Sequence, residues 1–571
     1  MRQLYCTLLV FTVIICTISI ISCRHKKNGH AVAQEKIVSK AEDMDNQTAN
    51  SIEDALQFGM QNKGKIDDKI HLQFINAVNT FYDGIHYKNI WSHKEKWEPL
   101  ADSLYQFINN AAIFGLFAND YHLQYFQSLK HELDTDSLKR TDAILWTKAD
   151  LLLTDAFMHL VKDLKEGRLN RDSISLNKKN AADSLLGGSL TALFSGEQLW
   201  PLLYNLQPKN SGYEQLINCL PKFLDSMDKK VYTYINYPFK INSEKDSLLF
   251  VKNLQNRLSE SKCIEVSETL PDTLQLKMAI KKYQKLRAIR QDGKISGSLV
   301  KLMNTNDAER FKRIAITLDR YKQLPDTMPE KYIWVNLPAY YLQLWDHDTL
   351  VMDSKVIVGK PATRTPLLNS FISDMVTYPT WTVPASIITK QYLPKLKINP
   401  GYLKKLGLHL ENNKGETIDG NTINWSKYKK AIPYKVMQGS GDDNALGIFK
   451  FNFNNEYAVY LHDTNQRYLF KNALRDLSHG CVRVQQWEKL ADFIAANDSI
   501  NLKPGDQLRY NADSIKTWID NKINKRIAVK NKVFLFIRYF TCEAKDGKIK
   551  FYDDIYGEDK AIREKYFADK N

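Results

Sequence analysis

Cysteine is scarce in this chain. Of seven cysteines in 571 residues, Cys6, Cys16 and Cys23 fall near the start, leaving only Cys219, Cys263, Cys481 and Cys542 for the body. That is too few for a disulfide framework, and no CxxC pair, Cys/His run or His/Asp cluster has the spacing of a metal site, so neither a metal nor a cofactor is expected. Zinc-finger spacing, aromatic RNP-like runs and dense basic blocks are missing too, and with them the usual marks of a nucleic-acid reader. Disorder and a polytopic membrane protein are excluded by composition, since 43% hydrophobic and 25% charged residues are ordinary globular values. What is present is length and positive charge. At about 150 residues per domain the chain holds three or four units with real cores. Lys+Arg of 80 against Asp+Glu of 65 gives a net charge of +15, which suits an acidic partner such as anionic lipid or a carboxylate-rich polymer.

No charge occurs between Arg2 and Arg24, and Leu4 to Ser22 is rich in Leu, Val and Ile. This is an export signal or a membrane anchor. Ile20-Ile21-Ser22-Cys23 resembles a bacterial lipobox, in which Cys23 would be lipidated after removal of residues 1–22. An uncleaved single-pass anchor is the other reading, since about 19 uncharged residues nearly span a bilayer. Both put the chain from Lys26 onward in the bacterial envelope, as an exported, periplasm-facing protein, behind a polar tether over residues 23–65.

From about Asp67 to Arg168 apolar residues recur at helical spacing, as in Leu100, Leu104, Phe107, Ile108 and Ala111, or Leu153, Phe157, Leu160, Val161 and Leu164. The pattern continues over Glu214 to Met227 and Ser247 to Ser261, so residues 66–265 read as a helical scaffold. Cys219 and Cys542 sit in apolar runs and read as small core residues. From Leu274 to Asn304 a helix, an Asp292-Gly293 turn and a second helix alternate. The segment resembles a peptidoglycan-binding repeat, giving a small helical domain over 270–310; a generic helical hairpin is the alternative. After Pro329, β-branched and aromatic alternation takes over, in Tyr332 to Leu337, Tyr340 to Trp345 and Ser354 to Gly359. A mainly β domain over 330–510 follows, with residues 511–571 as an extension packing on it or on the scaffold. Between about 391 and 430 the β pattern lapses into a Lys-rich, Gly-containing stretch, read as a lid insertion or a plain surface excursion.

Chemistry concentrates in Tyr457-Ala458-Val459-Tyr460-Leu461-His462-Asp463-Thr464 and Ser478-His479-Gly480-Cys481-Val482-Arg483-Val484. A thiol attacks a carbonyl as thiolate, and an imidazole beside it can take the proton and return it to a leaving amine, so Cys481 is the candidate nucleophile and His462 the candidate base and acid. Gly480 allows a tight turn that could aim the Gly480 and Cys481 N–H groups at a developing oxyanion. Arg483 falls on the same side of a strand as Cys481 and suits a substrate carboxylate or an acidic neighbour. Asp463 points to the opposite side from His462 and takes no triad role. Ser478 and His479 are supporting residues of the turn, and Tyr460, Trp381 and Trp425 are cleft candidates that could equally be core aromatics.

The two strings together resemble the signature of YkuD-type L,D-transpeptidases. The resemblance extends to Ile333 to Pro338, Val356 to Pro361, Thr365-Pro366, Pro379 to Pro384, Asn444 to Gly447 and Asp553 to Gly557, as in the large YcbB-like branch. It implies a multidomain α+β protein with a helical scaffold, a peptidoglycan-binding-like domain and a catalytic β domain carrying a lid. It further implies that Cys481 attacks the L,D bond of a tetrapeptide stem, releases D-Ala, and is resolved from its thioester by a neighbouring stem amine to give a 3→3 cross-link. His462 would then be oriented through its second nitrogen by a backbone carbonyl. Carboxypeptidase or endopeptidase action and attachment of a protein to the wall share the acyl-enzyme, and a non-catalytic wall-binding scaffold is a further alternative. Partners implied are peptidoglycan stems, the membrane through the N-terminus, and other cell-wall enzymes; nucleic acid is not among them.

Overall fold

The computed structural model describes residues 35–176, 183–228, 230–237, 244–265, 267–287, 289–500 and 510–570. The export segment and the lipidation candidate Cys23 lie outside the described residues. Among the described residues no helix is long and apolar enough to cross a membrane. The described residues fall into two compact units, one holding 35–167 with 183–207 and the other 168–176 with the described residues from Pro208 onward.

The first unit is built around helices α1 (Ala41–Gln61) and α2 (Ala143–Glu166). α2 is buried on every side, as a helix with apolar residues all round must be. Its acidic residues are satisfied rather than stranded. Asp150 accepts from the Ile90 and Trp91 amides and the Tyr82 hydroxyl, and Asp155 accepts from the Phe74 amide. Here the expected tether is corrected. α1 is packed into this core through Met44, Thr48, Ser51, Ile52, Ala55 and Leu56. Its polar residues fill the outer face and dilute the composition, which hides the helical period.

The scaffold boundary is corrected as well, because the chain from Pro208 belongs to the second unit. There α3 (Ser211–Ser226) brings Phe223 against Phe551. Helices α4 (Glu244–Glu260), α5 (Thr273–Leu286) and α6 (Gly297–Asn304) enclose Ile235, Leu254, Leu258, Ile280, Tyr283, Val300 and Met303. The small helical domain therefore begins well before residue 270. Its turn is locked by Gln284, which donates to Asp292 at 2.8 Å and accepts from the Gly293 amide at 2.9 Å. Cys542 is buried as expected, whereas Cys219 is only half-buried.

The main sheet uses strands β1 (Lys331–Asn336), β2 (Tyr341–Asp346), β3 (Thr349–Gly359) and β4 (Leu368–Thr377). An insertion carries β5 (Trp381–Thr382), β6 (Leu408–Glu411), β7 (Thr417–Ile418) and β8 (Lys435–Gln438). Then come β9 (Phe449–Phe453), β10 (Leu461–His462), β11 (Asp476–Ser478), β12 (Val482–Val484), β13 (Lys525–Ala528) and β14 (Phe534–Arg538), with a hairpin of β15 (Cys542–Lys545) and β16 (Lys548–Phe551). The order β9-β10-β12-β3-β2-β1-β14-β4-β13 is closed by the pairing of β9 with β4, and β11 pairs with β3. Residues 511–571 are thus no mere extension, because β13 and β14 complete the sheet. A closed sheet leaves few open edges, and both strands fall beyond the helices Trp487–Ile500 and Ala512–Asp520, which separate them from the rest in sequence.

The insertion also differs from expectation. Instead of a polar stretch over 391–430, residues 381–438 make a four-stranded sheet in the order β5-β8-β6-β7 with its own core of Val383, Ile388, Leu396, Leu410, Trp425 and Val436. The apolar residues sit in short elements between exposed lysines, so no window shows a clean period.

Candidate active site

β10 and β12 run parallel, with Leu461 opposite Val482 and His462 opposite Arg483. The Val482 amide donates to the Tyr460 carbonyl at 3.1 Å and extends the pairing by one step. Residues two apart on a strand share a face. Tyr460 and His462 from one strand and Cys481 and Arg483 from its neighbour accordingly line one pocket of 140 Å³, with Trp381, Tyr457, Ser478 and His479 around it. Asp463 points away, gripped by Arg467 and by the Ile448 amide at 3.1 Å.

The turn before Cys481 is braced from several directions. Gly480 has φ +123°, a conformation only glycine adopts without strain. Ser478 donates to the Cys481 carbonyl at 2.6 Å, and Thr365 donates to the Gly480 carbonyl at 2.8 Å. Tyr556 donates to Gly359 at 2.6 Å and accepts from the Thr365 amide at 3.2 Å, so the far end of the chain steadies the loop that holds the turn. One assignment changes here. The Gly480 N–H donates to Ser478 Oγ at 3.1 Å, so it serves the turn and not an oxyanion. The Cys481 N–H makes no hydrogen bond among the described residues. A second donor stands beside it: Tyr460 lines the same pocket as the Cys481 thiol and Trp381, and its presence favours the thiolate.

Trp425 is not in the cleft. It is 3% exposed in the insertion core and donates to the Gly420 carbonyl at 2.8 Å. Tyr457 is exposed at the pocket mouth. His479 is exposed as well, and its Nε2 meets the Gln391 side-chain amide from the insertion, which thereby reaches the catalytic turn.

Electrostatics make this a neutral resting site. Burial pushes the Cys481 thiol up, partly offset by the Tyr460 contacts and by the Lys450 and Arg483 cations. Burial, then the Arg483 charge, push His462 down to about 3. The Leu446 and Asp463 backbone beside the ring favours its charged form, although Nδ1 has no partner at full hydrogen-bond geometry among the described residues. Arg483 donates to Gln466 at 3.2 Å through one nitrogen, while its buried Nε has no acceptor.

Lys450 was not legible as a site residue. On β9 it alternates with the buried Phe449, Phe451 and Phe453, and it pairs in register with His462. Its Nζ lies 4.0 Å from the Tyr460 ring centroid. A lone lysine between phenylalanines in a strand next to the His462 strand is the one signal that could have marked it.

Known proteins bear on this geometry. Residues 330–506 match the YkuD model, described as an L,D-transpeptidase catalytic domain, and residues 76–220 match a scaffold-domain model. The chain carries a YkuD-type L,D-transpeptidase catalytic domain. A Haemophilus influenzae protein, named provisionally as an L,D-transpeptidase, is 34% identical over 251 residues, or 44% of this chain and 49% of the relative. The chain thus spans about half the length of that curated relative. Among solved structures, an Enterococcus faecium L,D-transpeptidase mutant aligns with 37% of this chain and 50% of its own at 10% identity and TM-score 0.17. An L,D-transpeptidase from Mycobacterium smegmatis aligns with 37% and 58% at 10% identity and TM-score 0.18. The L,D-transpeptidase domain and the scaffold match fit the α+β architecture of helical N-terminal region and mainly β catalytic domain.

Proposed function

We propose that the chain is an envelope L,D-transpeptidase that forms 3→3 peptidoglycan cross-links through a thioester at Cys481. The observation that carries this reading is the meeting of Cys481, His462, Tyr460 and Arg483 in one pocket of an L,D-transpeptidase domain. Membrane attachment through Cys23 or an uncleaved N-terminal anchor belongs to the same reading, as do contacts with other wall enzymes.

The chemistry follows from a neutral thiol beside a neutral imidazole. As Sγ attacks the carbonyl of the L,D bond, His462 takes the thiol proton, so no ion pair is needed at rest. The oxyanion meets the Cys481 N–H and the Tyr460 hydroxyl; one such donor is worth about 3 kcal/mol of transition-state energy. Collapse expels D-Ala, whose amine takes the proton from His462 and leaves the thioester. The amine of a neighbouring stem then attacks, His462 removes its proton, and the thiol is restored. Arg483 suits the donor carboxylate through its unpartnered Nε. A carboxylate there offsets the positive charge that depresses His462, so the base strengthens when substrate is seated.

The test is incubation of the chain and of Cys481→Ala with disaccharide-tetrapeptides, read by mass spectrometry. A cross-linked dimer with loss of D-Ala, absent in the variant, is expected. Tripeptide alone makes the enzyme a carboxypeptidase, and unchanged substrate refutes the proposal. A carbapenem, which mimics the acyl donor, is expected to add its mass to wild type and not to Cys481→Ala.

A further inference from the structure

The outer face of β1, β2 and β3 carries side chains that a solvent-facing sheet normally lacks. Ile333, Val335, Leu342, Leu344 and Val356 of these strands enter the core. On the opposite face, where alternation calls for polar residues, Tyr332 lies across from Trp345, Trp334 from Gln343, Gln343 from Asp353, and Tyr341 from Lys355. This aromatic floor, walled by the start of α3 and by the β15–β16 hairpin, bounds a cleft of 510 Å³. Small-ligand sites run from about 300 to 1,000 Å³.

Three features specify the ligand. The Tyr332 and Trp345 rings are near-parallel, at 8° with centroids 6.2 Å apart, and the buried Tyr332 backs the Trp345 ring, which offers a flat apolar face. The indole N–H groups of Trp334 and Trp345, both in the lining, have no acceptor among the described residues and are free to donate to a ligand. Planar polar groups stand between the rings: the Gln343 amide lies 3.3 Å from the Asp353 carboxylate, and Glu543 is held by the Tyr341 and Tyr552 hydroxyls. The lining mixes Asp353 and Glu543 with Lys355, Lys545 and Lys550, while Arg475 is spent on backbone carbonyls, so the cleft is not built for a polyanion alone. An apolar helix fits no better, because it would leave the two indole N–H groups and the lysine ammonium groups of the lining without partners. A pyranose chain supplies what is missing: apolar C–H faces for the rings, hydroxyls for the carboxylates, and acetamido carbonyls for the indole N–H groups.

We infer that this cleft binds a β-linked N-acetylhexosamine oligosaccharide, the sugar strand of the polymer whose stem peptides the catalytic pocket uses; the inference rests on that reading. The cleft is mechanically continuous with the catalytic turn. Arg475, in its lining, holds the Val356 and Tyr340 carbonyls at 3.0 Å each, and Tyr340 donates to Asp476 at 3.0 Å, shortly before Ser478. Cleft and catalytic pocket belong to one compact unit, so a strand seated here tethers its own stems to the enzyme and raises their effective concentration.

The test is titration of the full chain, in detergent, with tetra-N-acetylchitotetraose, followed by tryptophan fluorescence and calorimetry, for wild type, Trp334→Ala, Trp345→Ala and Trp345→Phe. Saturable binding that weakens at least tenfold in both alanine variants and by a smaller amount in Trp345→Phe, which keeps a ring face but loses the indole N–H, is expected, with cellotetraose, which lacks the acetamido group, binding more weakly. Absence of saturation in wild type, or equal affinity in both alanine variants, overturns the inference. Carbapenem acylation of Cys481 is measured in the same samples. It is expected unchanged in the cleft variants, and its absence from folded wild type counts against the catalytic reading instead, so the two failures read separately.

Discussion

His462 is held neutral by burial and by Arg483, and this makes a quantitative demand on stability. Its folded value of about 3 lies below the ordinary 6.5. For a histidine depressed in this way, the unfolded chain binds a proton first as the pH falls. The stability is fully present above pH 6.5 and is lost on the way down towards pH 3. At 1.36 kcal/mol per unit, lowering the pH from 7.5 to 5.0 costs about 2 kcal/mol through this one ring. His462→Asn removes the titration but leaves every other group in place. Urea unfolding of the catalytic unit at both pH values is therefore expected to show an acid-induced loss about 2 kcal/mol smaller in the variant. The comparison is between differences, so any constant penalty of the substitution cancels. Equal losses in the two proteins, to within about 0.5 kcal/mol, would refute the idea of a buried neutral base.

Other outcomes follow from the same structure. Lys450→Met removes a cation that lowers the Cys481 thiol pKa, so the pH profile of iodoacetamide labelling at Cys481 is expected to move to higher pH; an unmoved profile disproves the coupling. Gly447→Ala places a methyl at φ +65° against the Asp463 carboxylate and 2.6 Å from the Thr464 amide. Backbone strain of this kind costs about 1–3 kcal/mol, and loss of both melting temperature and carbapenem acylation is expected. Ile52 is fully buried in the first unit, so Ile52→Ala is expected to destabilise that unit by about 2–5 kcal/mol in chemical denaturation. A change under about 0.5 kcal/mol is what a loose tether would give.

Much of the site was legible because its residues are near neighbours on two strands. The strings around His462 and Cys481 carry their own chemistry, and period-two alternation puts Tyr460 with His462 and Cys481 with Arg483 before any fold is known. Three site features could not be read this way. The Gly480 N–H was expected at the oxyanion, yet whether an amide points at substrate or at Ser478 Oγ depends on one turn's dihedrals. Trp425 was a cleft candidate because it is aromatic and near, and it is a core residue because the insertion folds on itself. Lys450 meets Tyr460 only because β9 pairs with β10.

The boundaries diverged for a related reason. Residues 41–61 look like a linker in composition, but a single apolar face is enough to hold a helix when a core awaits it. Residues 525–538 look like an appendage, but a sheet recruits strands by backbone hydrogen bonds that any extended sequence can offer. Local pattern by itself determined the classes of element and the reacting pair, since propensity, period and side-chain chemistry act over a few residues. Tertiary structure alone decided which distant segments close the sheet, which donors face the thiol, and which aromatic rings stay open to a ligand, because those depend on long-range pairing and burial.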